Sequence, residues 1–189
     1  MPADNVTITE NIAGVLTKVL SRGSFSQVAI LVDENTKEHC LPLMQEVLPS
    51  DYTLVEIKSG EVNKNLTTCT HIWQQLTEQH FDRKGLLINL GGGVIGDMGG
   101  FCAATYKRGV AFVNIPTTLL AQVDASVGGK LGIDFNGFKN HIGLFQEPQQ
   151  VLIDAHFLET LPKQELRSGF AEVIKHALIQ DGTYWNKLR

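Results

Sequence analysis

Apolar residues fall along this chain in short, nearly continuous runs, each followed by a stretch in which they recur every three or four positions. The run "VAILV" at 28–32 is β-branched and stops at "DEN", and "TKEHCLPLMQEVL" after it carries apolar residues at roughly helical spacing. The same alternation predicts a strand at 52–57, a helix at 66–81, a third strand at 86–90 and a fourth at 110–115, after a glycine-rich segment. Strands and helices in alternation favour parallel pairing through right-handed crossovers, with ligands at the carboxyl ends of the strands. From about Asp154 the texture changes. The stretch "FLETLPKQELRSGFAEVIKHALIQDGTYWNKLR" has no strand signal, and Pro162 can open a helix whose apolar stripe includes Leu166, Phe170, Val173, Ile174 and Ala177. The expected division is therefore an α/β domain over 1–155 and the start of a helical domain over 156–189.

Composition narrows the function classes. At 43% hydrophobic and 19% charged the chain is globular, and a formal net charge of -4 supplies no global field for nucleic acid or an anionic membrane, so any anion site must be local. Cys40, Cys69 and Cys102 are odd in number, widely spaced and without a CxxC pair, which predicts buried small hydrophobes in a reducing compartment rather than a disulfide framework or zinc knuckle. No long apolar span and no basic-then-apolar leader is visible, so the expectation is a cytoplasmic protein that neither enters a membrane nor is secreted.

The segment "LLINLGGGVIGDMGGFCAATYKRG" carries the densest chemistry. Gly91, Gly93 and Gly96 satisfy G-x-G-x-x-G between a strand and a helix, where glycine permits a tight turn and close approach of a pyrophosphate. In the usual dinucleotide fingerprint this turn follows the first strand and an acid follows about 20 residues on. Here the turn follows the third strand read from the sequence, and the next strand ends in Pro116. A plain Rossmann dehydrogenase and a purely structural turn both stay open at this point. Asp33, at an earlier strand end, could bring ribose contacts from another part of the sheet. Gly99, Gly100, Ala103 and Ala104 predict a helix packed unusually close to its neighbour.

Beyond this loop, the ordered set "SGEVNK", "GGGVIGD", "YKRG", "PTTLLAQVD", "SVGGK", "KNHIG", "FLETLP" and "AEVIKH" resembles 3-dehydroquinate synthase of the shikimate pathway, from about Asp33 onward. That family is similar in outline to glycerol dehydrogenases and to sister sugar-phosphate cyclases that make deoxyinosose or valiolone. The resemblance implies a Rossmann-like α/β domain that binds NAD, followed by the first helix of an α-helical metal-binding domain, with substrate between the two. It implies a keto-sugar acid phosphate as substrate, and a homodimer. Its reaction oxidises a hydroxyl, eliminates phosphate, reduces the ketone again, opens the ring and closes a carbocycle.

For NAD the resemblance points to Asp33 and Asn35, to Glu61 and Lys64 in "SGEVNK", to Gly92, Gly93, Val94 and Asp97 in the glycine loop, and to Thr117, Thr118, Lys139, Phe157 and Thr160. For substrate it points to Lys130 and Asn140 near the phosphate, to Asp124 and Lys175 at hydroxyls, and to Arg108 reaching the site of a partner subunit. Lysine and arginine are the donor types such anions require. Taken singly, Asp33 also reads as a turn acid, Thr117 and Thr118 as helix caps, and Phe157 as a core aromatic.

Glu172 lies one helical turn from Lys175 and His176. By resemblance Glu172 binds a divalent metal, zinc or cobalt, with two histidines from farther along the family's sequence, while His176 is structural. Because those two histidines do not fall within these residues, the isolated chain is expected to be inactive. Ala125, where the family often has serine, and Phe138, where glycine often precedes the lysine of "KN", depart from the pattern. A sister cyclase, or a nucleotide-binding module without catalysis, are the alternative readings.

Overall fold

The computed structural model describes residues 5–188. Its strands are β1 Val6–Thr9, β2 Val28–Asp33, β3 Thr53–Ile57, β4 Leu86–Gly91, β5 Ala111–Pro116, β6 Lys130–Phe135, β7 Phe138–Phe145 and β8 Gln150–Asp154. Its helices are α1 Ile12–Arg22, α2 Glu34–His39, α3 Leu66–Glu78, α4 Gly93–Thr105, α5 Lys163–Gln180 and α6 Gly182–Leu188. Six strands make one sheet in the order β1-β8-β5-β4-β2-β3, and each neighbouring pair is parallel.

The continuous apolar runs are explained by burial on both faces. In β2, Ala29 and Leu31 join a core with Ile72 and Leu76 of α3 and Met98 and Phe101 of α4. Val28, Ile30 and Val32 join a second core with Ile12 and Leu16 of α1 and Phe157. All three cysteines are buried and unpaired, as their spacing predicts. Burial is also the main reason the Cys40 thiol is pushed up to about 11.

The strand order creates a switch point. From β2 the chain steps outward to β3, then returns to β4 on the other side of β2 and continues outward to β5. The crevice at the carboxyl ends of β2 and β4 is where parallel α/β sheets bind ligands. Leu31 is opposite Asn89, so Asp33 and Gly91 end their strands at the same level.

Helix α4 leaves this crevice and lies close on the sheet, as its small residues predict. A Cβ on Gly99 would stand 2.1 Å from Asn89 Oδ1, and one on Gly100 2.4 Å from Leu131 Cδ2. Gly169 does the same for α5, where a Cβ would meet the Leu120 backbone nitrogen at 2.5 Å.

Several elements differ from the sequence expectation. Strands β1 and β8, helix α1 and the β6–β7 hairpin are additional. The segment expected as one helix after β2 is α-helical only to His39 and continues as two 3-10 turns, Leu41–Leu43 and Gln45–Val47. Pro42 is the cause, because it lacks the N–H for the next helical bond and disfavours αR at the residue before it. The helix expected over 66–81 stops at Glu78, and His80 turns the chain with φ 54°. In α5, opened by Pro162 as expected, the buried line is Gly169, Val173 and Ala177, while Leu166 and Phe170 are exposed. The close approach at Gly169 sets that line. No helix among the described residues is long and apolar enough to cross a membrane.

Candidate active site

The glycine turn caps nothing with a side chain. Gly92 is the N-cap of α4 and makes no side-chain hydrogen bond, so the first-turn N–H groups of a 13-residue helix face the switch point unpaired by a cap. A Cβ on Gly92 would stand 3.0 Å from Thr118 Cγ2, and one on Gly93 3.5 Å from Ala125 Cβ. The loop after β5 is folded against the turn: Thr117 N–H donates to Gly91 O at 3.0 Å, and Thr118 Oγ1 accepts from Ala121 N at 3.3 Å. Thr118 is thus a cap, and it also borders the glycine turn. Across the crevice, Asp33 caps α2 by accepting from Thr36 N at 2.8 Å. That bond occupies one carboxylate oxygen at the strand end.

Residues Ala121–Ala125 form a π-helical turn, closed by Ser126 Oγ donating to Ala121 O at 2.7 Å. Such turns recur at functional positions, and this one carries Asp124. Gly128 and Gly129 follow with φ 95° and 63°, a conformation glycine adopts without strain, and deliver Lys130 to the start of β6. Strands β6 and β7 form an antiparallel hairpin turned by Asn136 and Gly137, both at positive φ. The Asn-Gly pair is the sequence signal for that turn.

Lys64 ties the parts together. Its side chain is 4% exposed, and Nζ donates to Asp97 Oδ2 at 2.5 Å and to Asn140 Oδ1 at 2.6 Å, while its carbonyl accepts from Asp134 N at 2.8 Å. The segment before α3, the first turns of α4 and the hairpin are therefore pinned at one ammonium. Asn140 itself sits at φ 51°, and its N–H donates to Asp134 Oδ1 at 2.8 Å. Desolvation by burial holds Asp97's carboxyl above its usual range, opposed by the hydrogen bond and charge of Lys64.

Asp97, Asp124, Lys130, Asn140 and His141 line a cleft of about 530 Å³ between the hairpin, α4 and the π-helical turn. At its margin, α5 adds Glu172, Lys175 and His176. Lys175 Nζ contacts Glu172, and that hydrogen bond, with the charges of Glu172 and Asp124, raises the ammonium's pKa. His176 Nε2 lies 3.4 Å from Glu172 Oε1 and 3.8 Å from Asp124 Oδ1.

Three of the residues expected to hold substrate, Lys130, Asn140 and Asp124, thus share one cleft, and Lys175 borders it through Glu172 and Asp124. Arg108 is apart from them, at φ 70° in the 3-10 turn Tyr106–Arg108 beyond the far end of α4. Glu61 and Lys139 are paired with each other at 3.2 Å. Asn35 and Thr160 are exposed, Val94 is half-buried, and the Phe157 ring is 2% exposed within the core of α1 and β2. His141, to which the sequence assigns no role, and His176, expected to be structural, both stand at this site. Their signal was the motifs "KNHIG" and "AEVIKH" that flank assigned residues.

A parallel sheet, an uncapped glycine turn at its switch point and a mixed-charge cleft beside that turn define an α/β domain of the Rossmann-like class. The chain belongs to the 3-dehydroquinate synthase family, whose N-terminal family model matches residues 54–168. It is 45% identical over 180 residues to 3-dehydroquinate synthase of Parabacteroides distasonis, covering 95% of this chain and 51% of that one. It is 46% identical over 170 residues to that of Ruminiclostridium cellulolyticum, covering 88% and 47%. The chain therefore spans about half the length of the curated relatives it matches.

Among solved structures, a 2-epi-5-epi-valiolone synthase from Streptomyces hygroscopicus subsp. jinggangensis 5008, with NAD+ and Zn2+ bound, superposes with a TM-score of 0.84 at 27% identity, over 96% of this chain and 51% of that one. A 2-deoxy-scyllo-inosose synthase, complexed with carbaglucose-6-phosphate, NAD+ and Co2+, superposes at 0.82 with 24% identity, over 92% and 49%, and shares the fold.

Proposed function

We propose that this chain is the NAD-binding portion of a 3-dehydroquinate synthase, a metal-dependent lyase and cyclase that converts 3-deoxy-D-arabino-heptulosonate 7-phosphate to 3-dehydroquinate and phosphate in the shikimate pathway. The observation that carries the reading is the pinning of Asp97, beside the glycine turn, to Asn140 in the cleft through Lys64. A nucleotide site and a polar substrate site are thereby held as one unit. The curated relatives at 45–46% identity support this substrate over those of the sister cyclases, whose structures are 24–27% identical.

The residues fit the groups the reaction uses. A pyrophosphate would be held by the uncapped N–H groups at Gly93 and Val94, with Thr117, Thr118, Asp33 and Asn35 bordering the crevice and Glu61, Lys64, Asp97, Lys139, Phe157 and Thr160 contributing from around it. Glu172, a half-buried carboxylate whose buried Oε1 has no hydrogen bond beyond its contact with Lys175, has the chemistry of a metal ligand. When bound, NAD would supply a hydride acceptor that is regenerated, so that the net reaction is redox-neutral, and a zinc or cobalt ion would supply a Lewis acid for the hydroxyl whose carbon is oxidised. The side chains do the rest. Lys130 and Asn140 bind phosphate and orient the leaving group, Asp124 accepts a hydrogen bond from a substrate hydroxyl, and Lys175, kept cationic by Glu172 and Asp124, steadies negative charge on an adjacent oxygen.

The remaining elements of the reading are a homodimer in which Arg108 serves the partner's cleft, a cytoplasmic location, a domain boundary after residue 155, where the last strand has ended and only helix follows, and no phosphate release by the 189-residue chain alone. The test is phosphate release by the intact protein from three sugar phosphates, those of the dehydroquinate, deoxyinosose and valiolone reactions. Preference for either of the latter two would replace the substrate. NAD affinity without turnover of any would favour a non-catalytic binding module.

A further inference from the structure

We infer that His141 is a third donor to the phosphate of the sugar-phosphate substrate, beside Lys130 and Asn140, and that the Phe138 ring holds its imidazole in place. The inference rests on the proposed function and goes past it, since that reading leaves both residues without a role.

The backbone aims His141 at the cleft. Successive side chains of a strand point to opposite faces, yet Asn140 and His141, neighbours in β7, both line the cleft. A bulge is the cause: Ile142 pairs with Ile133 and Phe138 with Phe135, so Lys139, Asn140 and His141 stand against Asp134 alone. Bulges re-aim side chains in this way. Asn140 takes the left-handed φ of 51°, held by its N–H to Asp134 Oδ1 and by Lys64 on its Oδ1. The Phe138 ring lies 5.3 Å from the His141 ring, centroid to centroid, with 31° between the planes. That separation is within the range of aromatic ring contacts.

Donor counting selects the group it receives. A phosphate monoester presents three terminal oxygens, and of the residues lining the cleft Lys130, Asn140 and His141 are those with side-chain N–H donors. With its Oδ1 taken by Lys64, Asn140 offers Nδ2. Lys130 and His141 are both exposed, and no hydrogen bond to a described residue occupies either side chain. The lining also includes Gly132 and Gly143, paired across the hairpin, which carry no side chain to fill the space. Of the two carboxylates in the lining, Asp97 is neutralised by Lys64, and Asp124 is left for a hydroxyl.

The experiment measures steady-state turnover of the sugar phosphate by the intact protein at saturating NAD, with inorganic phosphate as a competing anion. His141→Ala should raise KM for the sugar phosphate roughly tenfold or more, as for losing a hydrogen bond to a charged group. The inhibition constant of inorganic phosphate should rise with it, while affinity for NAD stays the same. His141→Gln, which keeps an N–H donor, should recover part of both losses. Phe138→Leu should raise the same two constants less, and Phe138→Tyr, which keeps a ring, should restore them. A KM that rises while phosphate inhibition is unchanged would put His141 on another group of the substrate and overturn the inference, as would no change in either constant. Should the variants not fold, the His141 ring signals of the parent protein are followed by NMR as inorganic phosphate is added, and the absence of a shift is equally fatal. The proposed function fails separately: an intact protein that releases phosphate from none of the three sugar phosphates refutes that reading, and the NMR titration still decides whether His141 receives phosphate.

Discussion

Replacing Lys64 by methionine should be among the more damaging single changes in this domain, although it keeps most of the side chain's volume. The ammonium is buried and satisfies Asp97 and Asn140 together. Removing one partner from a buried ion pair costs about 3–5 kcal/mol. Asp97 keeps 21% of its side chain exposed and can take up a proton, which places Lys64→Met near the lower end, at about 3 kcal/mol. For a chain of this length that is a fall in Tm of roughly 6–12 °C.

The pH dependence gives a second signature. Asp97's carboxyl is already held above its usual range by burial, and loss of Lys64 lifts it further. With a raised folded-state pKa, the folded chain binds its proton more tightly than the unfolded chain does. The stability this contributes is full below the unfolded pKa and is lost as pH rises through the folded one. The deficit of Lys64→Met should therefore narrow as the pH is brought down toward about 4. Urea denaturation followed by circular dichroism, at several pH values, measures both effects. Adding Asp97→Asn removes the orphaned carboxylate, so the double variant should recover about 1 kcal/mol or more relative to additivity. A loss below about 0.5 kcal/mol at neutral pH, or strict additivity, would refute the claim that this ammonium holds the site together.

Gly99→Ala drives a methyl into Asn89 Oδ1 and Leu31, and should cost about 1–3 kcal/mol in a thermal melt, whereas the same change at Gly96, which has open space around it, should cost far less. The hydrogen bond to Asp154 at 2.7 Å, then its charge, raises the pKa of His156, so an NMR titration should place that imidazole above an unperturbed histidine. The stabilisation from this pair is present below the ordinary histidine pKa and fades as pH rises through the raised folded value. In the intact protein, Lys130→Ala should weaken the sugar phosphate by roughly 1.5–3 kcal/mol while leaving NAD binding nearly unchanged, and equal losses for both would remove Lys130 from the substrate site. Glu172→Gln should abolish phosphate release and metal retention together, measured by turnover and elemental analysis.

What could be read from the chain, and what could not, divides along physical lines. Strands β2, β4 and β5 are buried on both faces and so read as continuous apolar runs, and α4 betrayed its close packing through Gly99 and Gly100. Strand β1 is only "VTIT", at an edge with Ile8 exposed, and offers no such run. The hairpin is not legible because six of the eight positions in β7 are exposed, so that no buried apolar run marks it; its Asn136-Gly137 turn is the available cue. At the site, motif order located Lys130, Asn140, Asp124 and Glu172, but not who touches whom. Lys64 and Asp97, read as separate nucleotide contacts, hold each other, as do Glu61 and Lys139. Nor can spacing alone show that a π-helical turn carries Asp124 to His176, since the two are 52 positions apart in sequence.

Strand β1 pairs with β8, Val6 opposite Val151, and the first N–H of α1, at Ile12, is received by the buried carboxylate of Asp154. Both partners of the chain's opening segment therefore lie more than 140 residues downstream. During synthesis at about 5–20 residues per second, that segment leaves the ribosome roughly 7–30 s before its partners exist. In that interval Ile12 and Leu16, which end in the core, have no β8 beside them, while β2, β3 and β4 can already assemble. Strand β1 can therefore be fastened only once β8 has been made, although α1 already has β2 and β4 to pack on.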